Sequence, residues 1–198
     1  NIDKASKEQH EVIFEKNFEG LVRPSCTVVY TFSYWLAYND SAKQIGDQAY
    51  ELLAVRLRSN QGSTTPYKEG RKYLEQIIER RMILDLISPA AREFVIVMSG
   101  GLLAQLREIM AGAIQEARVR GSYKVEEPDV QKAAEQIRGR MSRLLSESDY
   151  SLLQKVALTG IRPDNQYQRM VYLGHMMEYM NGELWLEINP IIQPLLKR

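Results

Sequence analysis

The sequence contains one cysteine and two histidines, and this scarcity limits the chemistry open to the chain. His10 and His175 lie far apart, and with a single cysteine no spacing typical of a zinc site occurs. Cys26 has no partner for an internal disulfide, and its apolar neighbours predict a buried, unreactive thiol. The sequence therefore predicts no catalytic residues and no metal ligands. A lone thiol also weakly favours a reducing compartment, the cytoplasm.

The chain also lacks any excess of charge or hydrophobicity. It has 26 Lys and Arg against 25 Asp and Glu, a net charge of +1. No overall field attracts nucleic acid or an anionic membrane, so either contact would need a local patch. No apolar run reaches the roughly 18 residues of a membrane span. We therefore expect no membrane association.

A third absence concerns phosphate binding. A P-loop requires a Gly-Lys pair, and the sequence contains none, so the chain as it stands is not expected to hydrolyse ATP. Ser99, Gly100 and Gly101 precede a predicted helix, and helix N-termini favour anions. The same three residues equally fit a helix C-cap followed by a new helix, and we favour that interpretation.

Residues 1–62 predict an incomplete α/β unit. A helix begins near residue 6, and residues 26–32 (CTVVYTF) and 52–58 (LLAVRLR) predict two strands. Two short strands do not make a stable sheet. The sequence also begins at Asn1 rather than at Met. We therefore expect the chain to be the C-terminal part of a longer protein.

Residues 63–145 predict a helical module. Apolar residues recur at helical spacing in four segments. Ser88-Pro89 and Pro128 predict helix starts, and Gly100-Gly101 and Gly121 predict helix ends. The pattern is that of four helices.

Residues 146–198 predict two helices followed by a β-hairpin. Gly160 ends the first helix, and Asn181-Gly182 between two apolar runs predicts a hairpin with a type I′ turn. This order is typical of a winged-helix domain. Trp185, in the second strand, is expected to lie in the core.

DNA binding by this C-terminal segment is possible but weakly supported. Residues 142–198 contain six basic and six acidic side chains, and the predicted recognition helix carries only Arg169. Contacts with DNA phosphates need cations. A protein partner or self-association is the better expectation.

The order of these parts resembles the C-terminal two thirds of an AAA+ ATPase with an origin-initiator-like lid and a trailing winged helix. Residues 1–4 (NIDK) resemble the residues just after a Walker B strand. Residues 26–32 resemble the sensor-1 strand, with Thr31 as its polar residue. Residues 67–81 resemble the first lid helix, and the Ser99-Gly100-Gly101 junction matches the entry to the helix that carries the sensor-2 arginine.

One position departs from this family. The family often places its sensor-2 arginine where this chain has Ala104, and the nearest arginine here is Arg107, about one helical turn further on. The resemblance implies that Asp3, Thr31 and Arg107 contact the nucleotide. It also implies ATP and Mg²⁺ in the complete protein, together with an N-terminal ATPase core that this chain lacks.

The sequence thus predicts a mainly α protein with some β structure, in three parts: the end of an α/β ATPase core (1–62), a helical lid (63–145) and a winged helix (146–198). The expected function is to transmit nucleotide state to a partner or to self-assembly. A DNA-binding winged-helix protein and a non-catalytic structural adaptor are the alternatives.

Overall fold

The computed structural model describes residues 12–31, 52–161, 163 and 167–197. The chain divides into two compact units, Asn1–Leu52 and Leu53–Arg198. Helices dominate the described residues, and their only sheet is one two-stranded antiparallel hairpin. The expectation of a mainly α protein with some β structure is confirmed. None of the described helices is long and apolar enough to cross a membrane.

The first unit contains a π-helical turn, Val12–Lys16, and a short helix α1, Phe18–Val22. Phe14 is buried, and its ring lies edge-on to that of Tyr30 with centroids 6.5 Å apart. The Tyr30 hydroxyl donates a hydrogen bond to the Leu21 carbonyl at 2.9 Å. These contacts hold the helix against the segment that follows it.

The strand predicted for residues 26–32 is wrong over its described part. Residues 26–31 have no regular secondary structure, and Val29 is 86% exposed. Cys26 is exposed as well, which corrects the prediction of a buried thiol. A strand needs a neighbour to take up its backbone donors and acceptors, and the described residues of this unit offer none.

Four α-helices lie between residues 68 and 142, and their assignment as one lid module stays a prediction. They are α2 (Lys68–Glu79), α3 (Pro89–Ser99), α4 (Leu103–Val119) and α5 (Glu127–Ser142). The predicted caps explain two of the boundaries. The Ser88 hydroxyl accepts a hydrogen bond from the Ala91 amide at 3.2 Å at the start of α3. Gly100 ends that helix in the left-handed conformation.

The strand predicted for residues 52–58 is also wrong. The segment forms only an isolated bridge between Arg58 and Pro66. Its backbone amides donate to two different neighbours. The Ala54 amide donates to the Glu178 carbonyl at 3.2 Å, and the Val55 amide donates to the Gly101 carbonyl at 3.0 Å. The segment therefore joins the hairpin to the α3–α4 junction and extends no ladder.

The C-terminal part contains two helices and the hairpin, in the predicted order. They are α6 (Glu147–Thr159), α7 (Gln168–Tyr172), β1 (Met176–Asn181) and β2 (Glu183–Ile188), followed by a 3₁₀ helix, Gln193–Lys197. A capping box at Ser146 begins α6, and Gly160 in the left-handed conformation ends it. Its assignment as a winged helix stays a prediction.

The hairpin turn differs from the predicted type I′ turn. Asn181 pairs with Glu183, so Gly182 alone lies between the strands, and Asn181-Gly182 is not a two-residue loop. Gly182 has a φ of 77°, but Asn181 has no positive φ, which a type I′ turn requires. The Asn181 side chain instead donates to the Ser59 carbonyl at 3.1 Å, which ties the turn to a remote loop.

One apolar core runs through the second unit. It includes bundle residues such as Leu74 and Ile109 and C-terminal residues such as Leu153 and Met176, all completely buried. The predicted division into residues 1–62, 63–145 and 146–198 stays a prediction. The core nevertheless crosses its second boundary without interruption.

A buried pair of side-chain amides lies between the bundle and the C-terminal part. Asn189 Nδ2 donates to Gln105 Oε1 at 2.6 Å, and Gln105 Nε2 donates back to Asn189 Oδ1 at 3.1 Å. Asn189 Nδ2 also donates to the Gly174 carbonyl at 2.6 Å, and Oδ1 accepts from the Ile191 amide at 2.9 Å. Gln105 Nε2 further donates to the Met98 carbonyl at 2.7 Å. The pair thus ties α3, α4, the turn after α7 and the C-terminal tail together.

We predict that Asn189→Ala destabilises the fold by about 3 kcal/mol, because it leaves buried partners of the amide without hydrogen bonds. Urea unfolding measures the loss. The matched control is Gln136→Ala, which removes an exposed amide hydrogen bond to Glu116 and should change stability by less than about 0.5 kcal/mol. Equal losses in the two variants would contradict a central role for the amide pair.

Candidate functional site

The three residues predicted to contact nucleotide have different outcomes. Asp3 lies outside the described residues. Thr31 is exposed in a segment without regular structure. Arg107 is exposed on α4, and its side chain makes no hydrogen bond or ion pair with the part of the chain that is described. Thr31 and Arg107 belong to different units.

The glycine pair is a helix junction, as the favoured interpretation predicted. The Gly100 amide donates to the Val97 carbonyl at 3.1 Å and closes α3. The Gly101 amide donates to Ser99 Oγ at 3.1 Å, and the Leu102 amide donates to the Ser99 carbonyl at 3.0 Å. These amides, which a bound phosphate would need, are therefore already occupied.

The junction also has no room for side chains, because two other segments pack directly on it. The Tyr179 hydroxyl donates to the Gly100 carbonyl at 2.5 Å. A Cβ on Gly100 would overlap the Met177 side chain, and one on Gly101 would overlap the Val55 carbonyl. The glycines are thus needed for close approach of the hairpin and of residue 55.

We predict that Gly101→Ala destabilises the chain by about 3 kcal/mol or more, because its φ of 83° disfavours alanine and the Val55 backbone cannot move aside freely. The control is Gly139→Ala in α5, where nothing lies within 4 Å of the added Cβ. That substitution should stabilise the helix by about 0.5–1 kcal/mol. Thermal unfolding of both variants checks the pair, and a neutral Gly101→Ala would disprove the close approach.

The second unit has a cleft of about 900 Å³ beside strand β2. Four separate segments line it: residues 58–62, the end of α6, residues 186–188 and the C-terminal tail. Its walls combine apolar side chains with the amides of Gln61, Gln154 and Gln193. Sequence reasoning missed this cleft, since its walls come from parts of the chain that only the fold brings together.

One ion pair lies in the cleft wall. Arg58 Nη1 is 3.7 Å from Glu187 Oε1. Burial raises the pKa of Glu187, and the neighbouring Arg58 partly offsets that effect. Among the described residues, no group of three or more histidine, cysteine or acidic side chains is placed to hold a metal ion.

The hairpin carries a second buried carboxyl group, that of Glu178 in β1. The residue is 3% exposed, and it shares a sheet face with its cross-strand partner Leu186 in the main core. Burial raises the pKa of Glu178 from 4.5 to about 7. The folded chain therefore holds this proton more tightly than the unfolded chain does.

We predict that the free energy of unfolding falls by up to about 3 kcal/mol as the pH rises from 4.5 to about 7. The stabilising effect of the protonated Glu178 is complete below the unfolded pKa and is lost as the pH passes the folded one. Glu178→Gln should remove most of this decline and leave the part that comes from Glu187, whereas Glu183→Gln, at the exposed turn, should leave the decline in place. Urea unfolding across the pH range measures the effect, and an undiminished decline in Glu178→Gln would refute the assignment.

The cation expected on the recognition helix is already bound within the chain. Arg169 Nη1 donates to both carboxylate oxygens of Asp149 at 2.8 and 2.7 Å, and Nη2 donates to the Leu144 carbonyl at 3.1 Å. Burial alone raises the pKa of Asp149, but hydrogen bonds from Ser146 and Arg169 outweigh burial and lower the pKa to about 2. Arg169 therefore holds α7 against the start of α6.

Trp185 lies in the core, as predicted. It is 7% exposed, and its ring stacks on Tyr179 with centroids 4.5 Å apart. The aromatic pair lies on the sheet face that covers the glycine junction, so it serves packing and presents no exposed anchor.

Comparison of the chain with protein-family models, with curated proteins and with solved structures found no match.

Proposed function

We propose that residues 53–198 are the regulatory end of an AAA+-type ATPase. In this proposal the four-helix bundle is the lid, the C-terminal part is the winged helix, and together they transmit nucleotide state to a protein partner or to self-assembly. The proposal rests on the resemblance in the order of parts. Its main structural support is the Gln105–Asn189 amide pair, which couples the two parts at a buried point.

This coupling determines how a signal would travel. A nucleotide acts as a switch only when it binds two conformations with different affinity. If the bundle shifts on ATP binding, the shared core and the amide pair oblige the hairpin to shift with it. The C-terminal surface would then change its position toward a partner without any change in its own structure.

Within this proposal, the chain contributes charge and a hydrogen-bond donor at the nucleotide. Arg107 would neutralise the terminal phosphate of ATP from the lid side, since its guanidinium is exposed and is not held by the described residues. The Thr31 hydroxyl would donate to the same phosphate. No step is assigned to Mg²⁺, because Asp3, the residue expected nearest to it, lies outside the described residues.

The alternatives receive less support. DNA binding would need a free cation on α7, and Arg169 is bound to Asp149. In a structural adaptor without a ligand, the exposed Arg107 would have no role in function. The adaptor becomes the preferred function if the complete protein binds no nucleotide.

We predict that Arg107→Ala in the complete protein weakens ATP binding about tenfold or more and changes ADP binding little, because one charge-assisted contact with the terminal phosphate is lost. Arg118→Ala is the matched control, an exposed arginine in the last turn of the same helix. Calorimetric titration with each nucleotide measures both variants. A complete protein that binds no ATP, or equal effects of the two substitutions, would reject the proposal.

A further inference from the structure

The outer edge of strand β2 faces the cleft. The Ala54 amide donates to the Glu178 carbonyl at 3.2 Å, so the main-chain groups of Glu178 point away from β2. Opposite residues of an antiparallel pair either exchange both main-chain hydrogen bonds or both point outward. Leu186 lies opposite Glu178, and its N–H and C=O therefore point away from β1. Leu186 lines the cleft and no residue of β1 does, so the cleft lies on this outer side.

Hydrogen bonds at the end of β2 confirm this direction. The Asn189 amide donates to the His175 carbonyl at 3.0 Å, which continues the same alternation beyond the strand. Ile188, two residues after Leu186, points outward, and Gln193 Nε2 donates to its carbonyl at 3.3 Å from the cleft. The Gln193 side chain thus forms a hydrogen bond that a neighbouring strand would form in a larger sheet.

The main-chain groups of Leu186 have no such partner. Among the described residues, none donates to its outward carbonyl and none accepts from its outward amide. Leu186 is only 3% exposed, so its main chain has little contact with bulk solvent. Buried main-chain groups are almost always paired. The cleft thus presents a donor and an acceptor, side by side, to a molecule that enters it.

The rest of the cleft is mainly apolar and has no net charge. Val156, Ala157 and Leu158 of α6 line one wall, and Leu158 is 87% exposed. Arg58 and Glu187 are the charged residues among those that line the cleft, and they form an ion pair with each other. A ligand that matches these walls combines hydrogen-bonding groups with apolar groups and needs no charge.

We propose that the cleft binds an extended peptide segment of a partner protein, which adds a third strand to the hairpin at the outer edge of β2. The peptide main chain exchanges hydrogen bonds with Leu186, and its apolar side chains at alternate positions contact Val156 and Leu158. A peptide strand fits because its amide and carbonyl groups recur at the same two-residue spacing as those of β2. The inference goes beyond the proposed function, since it involves neither a nucleotide nor the residues predicted to contact one.

The enclosure of the cleft favours a single peptide strand over a second copy of this chain. The end of α6, residues 58–62 and the C-terminal tail lie beside the edge of β2. In a pair of copies, each β2 would keep these segments beside its edge. They would hold the two edges further apart than the roughly 4.8 Å between neighbouring strands of a sheet. A peptide brings no such segments, and a cleft of about 900 Å³ has room for a short strand.

The test begins with a display library of random peptides of about eight residues, within the usual range of strand lengths. The library is selected on the wild-type chain and, separately, on Ala157→Trp, in which a large side chain occupies the cleft. We expect peptides with alternate apolar residues to be enriched on the wild-type chain only. Ala157 is exposed, so unchanged thermal unfolding should accompany the substitution. No enrichment, or the same peptides enriched on both proteins, would overturn the proposal.

Binding of an enriched peptide is then measured by fluorescence anisotropy. Leu158→Ser should weaken binding about fivefold, because an exposed apolar side chain of the cleft is lost. Val119→Ser, at a similarly exposed residue of α4 outside the cleft, is the matched control and should have no effect. Ala111→Trp, at another exposed position of α4, is the corresponding control for Ala157→Trp. Equal losses in the cleft and control variants would contradict the assignment of the site.

Main-chain pairing is tested on the peptide itself. Methylation of alternate amide nitrogens removes the donors along one edge of the bound strand, and methylation of the other alternate set removes those along the other edge. One set should weaken binding at least about tenfold, and the other set should leave it nearly unchanged. Equal effects of the two sets would overturn strand addition.

Self-association is tested by sedimentation velocity of the wild-type chain and of Ala157→Trp. We expect Ala157→Trp to leave the sedimentation coefficient unchanged while it abolishes peptide binding. A dimer that this substitution abolishes would overturn the proposal and assign the edge of β2 to a second copy of the chain.

Discussion

The structure of the second unit depends on the buried amide pair of Gln105 and Asn189. Both side chains are buried, and an unpaired amide is costly away from water. The pair fixes the start of α4 against the end of β2, and through the Gly174 and Met98 carbonyls it reaches the turn after α7 and the helix α3. Apolar packing alone allows neighbouring parts to slide, whereas this pairing accepts one relative position. The bundle and the hairpin therefore form one rigid unit.

The sequence predicts those helix boundaries that are determined by residues close together in the chain. Ser88-Pro89 begins a helix, and Gly100 and Gly160 end helices, because caps act within a few residues. The strands predicted at residues 26–32 and 52–58 are wrong because neither β-branched composition nor alternation of residue types supplies a neighbouring strand. The type I′ turn failed for a related reason, since Asn181 is held by residues 59 and 60, more than a hundred positions earlier. Residue types predict local conformation well and distant partners poorly.

For the candidate sites too, the sequence predicts what depends on neighbouring residues and misses what only the fold brings together. Arg107 was identified by its place after the glycine junction, and its exposure is compatible with that role, but no sequence pattern could say which other groups converge on it. The cleft at Arg58 and Glu187 escaped prediction because four segments build it.

The late position of Asn189 in the chain has a consequence for how the protein is made. Ile191 and Ile192 are completely buried, and Arg138 Nε of α5 donates to the Ile191 carbonyl at 2.7 Å. Synthesis proceeds from the N-terminus, so all four bundle helices leave the ribosome before these residues exist. Until then, the bundle lacks the apolar side chains of Ile191 and Ile192, and Gln105 keeps only its hydrogen bond to the Met98 carbonyl. The core of the second unit can therefore be completed only when the last residues of the chain have been made.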